Sequence, residues 1–136
     1  MKYDDIKWHI NDDFPSNLSQ DAALTHMGMF LGWVIEMGLE SDLLKSNFQA
    51  ELNKFKKREL KGSQIVKLCC DSKITSDDLN DRGNQFAEKY YSQKYFDDYA
   101  NLSDDNNESI FQEPDTWDKF NQIKNIITKR YNKMIK

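Results

Sequence analysis

Apolar positions recur with the 3.6-residue period of helices along most of this chain, and the run from Ser19 to Met37 carries the pattern most fully. Ala23, Met27, Phe30, Leu31, Val34 and Ile35 form one stripe, which Trp33 and Met37 widen. Ser19 stands where a cap belongs, Asp21 suits the positive end, and Gly38 closes the segment. A helix this apolar predicts the buried centre of the fold. The spacing predicts a second helix from Ser41 to Arg58, burying Leu44, Phe48, Leu52 and Phe55 and ending in Lys54, Lys56, Lys57 and Arg58. A short third helix, Ser63 to Cys70, buries Ile65, Val66, Leu68 and Cys69. A fourth, Asp77 to Tyr99, starts from a cap at Thr75 or Ser76 and turns Leu79, Gly83, Phe86, Ala87, Tyr90 and Tyr91 inward. The last begins at "EPDTWDKF" with Asp115 as its cap. Trp117, Phe120, Ile123, Ile127, Tyr131 and Met134 lie along one stripe, with lysines on the other face.

Ahead of the first helix, residues 1 to 18 lack this period, and Phe14-Pro15 favours an extended backbone. Strand signals are confined to this arm and to "SIF" at 109–111. The expected fold class is therefore mainly α: a single compact helical domain of about five helices, with an ordered N-terminal arm (1–18) and a helical core (19–136). Gly28 and Gly32, four apart on the central helix, allow another chain segment to approach it closely.

Composition fits one domain. In 136 residues, 38% are hydrophobic and 31% charged, with 8 Phe, 6 Tyr and 3 Trp to fill a core. No run of eighteen apolar residues is present, which excludes a membrane-spanning helix. The acidic N-terminus does not read as a signal peptide, so the expected location is cytoplasmic. Cys69 and Cys70 are adjacent, cannot close a disulfide loop, and read as small hydrophobes.

Charge is segregated. All 23 acidic residues lie between Met1 and Asp118, whereas Lys119 to Lys136 holds six cations and no acid. From Phe96 to Asp118 there are eight acids and no Lys or Arg. Such a segment reads either as a solvated loop or as a surface for a basic partner. The basic last helix alone invites nucleic acid, but the acidity of everything else opposes a polyanion.

Candidate chemistry centres on "YDDIKWHINDDFP", residues 3 to 15, where carboxylates flank His9. The spacing matches no common metal pattern: H-E-x-x-H and paired Cys/His are absent, and "DDNNESIFQEPD" lacks the Gly and Glu of a calcium loop. Thr25 and His26 point about 100° apart on a helix and make no nucleophile-base pair. No phosphate-binding glycine loop occurs. His26 reads as a structural histidine bonded to a backbone carbonyl or to an acid of the arm, and His9 as a second anchor amid Asp4, Asp5, Asp12 and Asp13. Trp8 and Phe14 read as core anchors, making the arm a collar.

"YDDIKWH", "DFP", "ALTHMGMFLGWVIEMGLES", "DLNDRGNQFAEKYY", "YFDDY" and "DTWDKFNQIKNIITKRY" together resemble a family of small acidic bacterial proteins of unknown function. The most specific parts are Trp8-His9, Thr25-His26-x-Gly28-Met29-Phe30-Leu31, Gly83-Asn84-x-Phe86-Ala87 and Tyr90-Tyr91. The resemblance implies a stand-alone immunity protein that neutralises a bacterial toxin by covering it, with no catalysis and no cofactor. The expected contacts are Tyr91, Tyr95, Asp97, Asp98, Tyr99, Asp104, Asp105 and Glu108, meeting a toxin with a basic surface; no nucleic acid or membrane is expected. Two alternatives stay open. One is a small-ligand or metal site built from His9, His26 and nearby carboxylates, which requires the two rings to approach each other. The other is an adaptor that self-associates, for example as a homodimer, through its tyrosine-rich helix.

Overall fold

The computed structural model describes residues 1–103 and 109–135. Its elements run in the expected mainly helical order, with one small sheet. Strand β1 (Lys2–Asp5) pairs antiparallel with β2 (Lys73–Thr75). Helices follow as α1 (Thr25–Glu36), α2 (Asp42–Asn47), α3 (Gln49–Lys56), α4 (Gly62–Cys69), α5 (Asp81–Tyr90), α6 (Phe96–Asn101) and α7 (Trp117–Ile135). Among the described residues, no helix is long and apolar enough to cross a membrane.

Helix α1 is the axis of the core. Every residue from Thr25 to Ile35 is buried, so the stripe read from the sequence is in fact the whole circumference. A tighter 3-10 segment, Gln20–Leu24, leads directly into it and is capped by the Ser19 hydroxyl accepting from the Asp21 N–H. Helices α4 and α7 and the aromatic face of α5 close around it. Phe30 lies within 6.4 Å, ring centre to ring centre, of Trp33, Phe86, Tyr90, Tyr91 and Tyr95. The Trp33 indole N–H donates to Thr128 Oγ1 at 3.0 Å, so the one polar atom of that buried ring is met from α7.

A helix buried on all sides needs thin places where neighbours cross it. Gly28 supplies one: a Cβ built there would stand 2.0 Å from the Ser63 nitrogen, and one built on Gly62 would stand 1.9 Å from the Gly28 carbonyl oxygen. Backbone meets backbone at this crossing of α1 and α4. Gly32, one turn on, faces the rings of Phe55 and Phe120.

Three expected elements are cut differently. The helix from Ser41 to Arg58 breaks at Phe48, whose backbone (φ −133°, ψ 34°) leaves the helical region, and continues as α3. The helix from Asp77 to Tyr99 becomes a 3-10 turn at Ser76–Asp78, then α5 from the Asn80 cap, a π-helical turn at Tyr91–Tyr95, and α6. "SIF" forms a 3-10 turn, Ile110–Gln112, while the unread strand is "KIT", entered through a reversal in which Asp71 and Ser72 both take left-handed backbone angles. The cap of α7 is Thr116, whose hydroxyl accepts from the Lys119 N–H at 3.1 Å; Asp115 turns instead to the Ser63 hydroxyl.

The crossing at Gly28 generates a direct test. Gly28→Ala forces backbone apart inside the core, and the expected loss is about 3 kcal/mol, the upper part of the usual overpacking range. A urea midpoint unchanged from the parent chain would show that the two helices do not meet here.

Candidate functional site

Asp4 is the centre of a buried polar cluster. It sits in β1, 1% exposed, and its carboxylate accepts from four donors. Oδ1 takes the Nε2–H of His9 at 2.6 Å and the backbone N–H of Asp5 at 2.8 Å. Oδ2 takes the Nε2–H of His26 at 3.1 Å and the hydroxyl of Tyr91. Four segments supply these groups: the strand, the 3-10 turn Ile6–Trp8 that follows it, the first turn of α1, and the π-turn after α5.

Local backbone explains how they converge. Asp5 caps the short turn by accepting from the Lys7 N–H at 2.9 Å, which folds the chain back so that His9 points toward Asp4. The π-turn adds one residue to a helical turn and brings Tyr91 and Tyr95 onto the same inner side, with their rings stacked 5.0 Å apart. The Tyr95 hydroxyl donates to the His26 carbonyl at 2.5 Å. The imidazoles of His9 and His26 meet edge to face at 4.8 Å, and Phe96 and Phe111 pack against both.

Burial acts on the titrating groups in opposite ways. Desolvation alone would raise the Asp4 carboxyl, but the hydrogen bonds from His26, His9 and Tyr91 outweigh it and hold Asp4 well below the usual carboxylate range. Desolvation lowers His26 below its ordinary 6.5, and the partnership with Asp4 opposes this only in part. At neutral pH the cluster is thus an Asp4 anion with a neutral His26 that donates from Nε2. His26 Nδ1 and the Tyr99 hydroxyl are buried without a hydrogen-bond partner among the described residues, and the Tyr99 ring stands edge-on to His26 at 6.1 Å.

One carboxylate and two imidazoles form a donor set suited to a transition-metal ion. The three ligand atoms lie within 4.8 Å of one another. Bonds of about 2.1 Å to nitrogen and oxygen would hold ligand atoms about 3.0–3.5 Å apart, so an ion would have to draw the most separated atoms together while His9 Nε2 and Asp4 Oδ1, now 2.6 Å apart, move away from each other. The His9 side chain, 13% exposed, is its boundary with solvent.

Four of the eight expected partner contacts are buried. Tyr91 and Tyr95 are fully buried, Tyr99 is 1% exposed, and Asp98 is buried where Arg130 and Tyr90 hold it. These four side chains serve the core, because the π-turn rotates the tyrosines inward and Asp98 faces α7. Asp97 is exposed. Asp104, Asp105 and Glu108 lie outside the described residues. In the arm, Phe14 is half-buried and packs on Phe111, at 5.1 Å, outside the main core. Trp8 does not pack inward: it is 51% exposed, because the turn that sends His9 inward sends its neighbour out. Asp12 and Asp13 are likewise exposed and take no part in the cluster.

Both depressed groups make the fold acid-sensitive. Below pH 6.5 the unfolded chain protonates His26 while the folded chain resists, and the stability carried by the Asp4 anion disappears as pH falls through the carboxylate range. In buffer containing a chelator, the urea midpoint is expected to fall between pH 7 and pH 5. In His26→Gln that part of the slope should flatten, and an identical slope in the variant would remove His26 as its source.

No curated protein and no solved structure matches the chain. A family model described as a domain of unknown function, DUF7832, matches residues 2–113, which span β1, the turn carrying His9, α1 and the π-turn, and so every residue of the Asp4 cluster. The chain belongs to that family of unknown function.

Proposed function

We propose that this chain binds a divalent transition-metal ion between Asp4, His9 and His26. The observation that carries the reading is the convergence of both imidazole Nε2 atoms on one buried carboxylate. Two arguments support it. The donors are two borderline nitrogens and one oxygen, the mixture that suits zinc, iron, cobalt or nickel better than calcium or magnesium. They come from segments rigidly held by the core, so little ordering entropy opposes coordination.

Zinc and cobalt titrations of chelator-treated protein test the reading. One ion per chain is expected, with the ligand-field bands of a nitrogen- and oxygen-bound Co²⁺. At a hundredfold excess over Kd, binding should add about 2.7 kcal/mol of stability, seen as a rise in the thermal midpoint. His9→Gln, at the solvent edge of the cluster, should remain folded and bind at least about tenfold more weakly. Unchanged spectra and midpoints on adding Zn²⁺ or Co²⁺ would reduce the cluster to a structural tie.

A protein partner is the second reading, and the exposure of Trp8 favours it. Tryptophan is enriched among residues that dominate interfaces. Here its ring stands out from the arm, with Met1 73% exposed nearby in sequence and Lys2 Nζ 5.3 Å from its centre. On this reading the neutralisation of a toxin runs through the arm rather than through the tyrosine-rich helix. Co-expression with the protein encoded beside it checks this: protection by the parent chain and its loss in Trp8→Ala are expected, and equal protection by both would exclude Trp8 as the anchor.

A further inference from the structure

At the C-terminal end of α1 the chain leaves the helix through Gly38 and runs extended to Ser41. This short stretch is pinned: Glu40 bridges to Leu79, the Ser41 N–H donates to the Asp78 carbonyl at 2.9 Å, and the Asn80 N–H donates to the Leu39 carbonyl at 2.8 Å. Glu40 is therefore fixed in place. Its side chain is 2% exposed, yet Oε1 has no hydrogen-bond partner among the described residues. Lys45 Nζ forms an ion pair with that oxygen at 3.9 Å, which is too long to be a hydrogen bond.

Glu40 lines two clefts that share Lys45 and Lys56 as a common wall, one of about 420 Å³ and one of about 180 Å³. Arg58 stands at the larger one, steadied by Glu36 and by the face of Trp117, 4.2 Å from its guanidinium carbon. A buried carboxylate oxygen without a hydrogen-bond donor is costly, and the three cations that line the larger cleft select what could supply one. A simple amine would meet Glu40 but be repelled by Lys45, Lys56 and Arg58. A simple anion would suit the cations but be repelled by Glu40 and Glu36. A molecule carrying both signs a few ångströms apart satisfies the cleft.

We propose that this cleft is a binding site for a free α-amino acid, with its ammonium donating to Glu40 Oε1 and its carboxylate lying among Lys45, Lys56 and Arg58. The larger volume is within the range of small-ligand sites. The polar groups come from three separate pieces of chain, the extended stretch, α2 and the end of α3, which fixes the orientation of the ligand. This site is independent of the Asp4 cluster and involves none of its residues.

Chemical-shift titration of the labelled full chain tests the proposal with glycine and glutamate as probes, and with ethylamine and acetate as single-charge controls. The amino acids should shift resonances around Glu40 saturably at millimolar concentration, and each control should bind at least about tenfold more weakly. Glu40→Gln should weaken amino-acid binding by a similar factor. Lys56→Gln, an exposed position, should weaken it with the fold intact and decides the matter if Glu40→Gln fails to fold. Acetate binding as well as glycine, no saturable shift with either amino acid, or full binding by Lys56→Gln would each overturn the proposal.

Discussion

A carboxylate placed under an aromatic core has to have its charge met on every side, and Asp4 sets that requirement for the whole N-terminal half of the fold. Two of its four donors come from elements distant in sequence, His26 22 positions away and Tyr91 87. Hydrogen bonds to a charged acceptor are worth more than those between neutral groups, and leaving such a group unpaired in the interior is costly. The arm cannot therefore peel away without stranding His26 and Tyr91. It is an internal strand of the domain rather than a loose leader to the helices.

Around this tie, the core is organised by size. Helix α1 has large side chains on nearly all of its surface, so neighbours reach it closely only where a side chain is missing. Gly28 admits the backbone of α4, and Gly32 admits the rings that α3 and α7 project. The tyrosines fill what remains, and four of their hydroxyls are directed to specific acceptors: Tyr90 to Asp98, Tyr91 to Asp4, Tyr95 to the His26 carbonyl, and Tyr3 to Asn84, while that of Tyr99 has none among the described residues. A ring with a hydroxyl is buried at little penalty when its oxygen has a partner, which is how a tyrosine-rich helix becomes core instead of surface.

The segregated charges of the sequence meet each other in the folded chain. Asp98 from the acidic stretch takes two bonds from Arg130, Glu113 pairs with Lys119, and Lys124 reaches Glu36. Asp98 is held below the usual carboxylate range, burial working against the hydrogen bonds from Arg130 and Tyr90 that lower it. Part of the opposite fields read from the two ends of the chain is thus an internal clasp, and the surface left to attract a partner is smaller than the linear charge pattern implied.

By itself the sequence determined the helical class, the central position of α1, the Ser19 cap and the close approach at Gly28, and it left His26 a backbone carbonyl or an acid of the arm as its partner. These follow from periodicity, capping chemistry and the need of a buried histidine for a partner, all of which act over a few residues or on one group. Only the tertiary structure decided that this partner would be Asp4, that His9 would join the same carboxylate, and that Tyr91, Tyr95 and Asp98 would face inward while Trp8 faced out. The break at Phe48, the π-turn and the strand at Lys73–Thr75 belong with these. Each depends on one extra or missing residue per turn, or on a pairing partner some seventy positions away. The orientation of a side chain changes by about 100° for each such residue in a helix, so a local pattern that locates a helix correctly still leaves the facing of its later residues to the contacts that the rest of the chain provides.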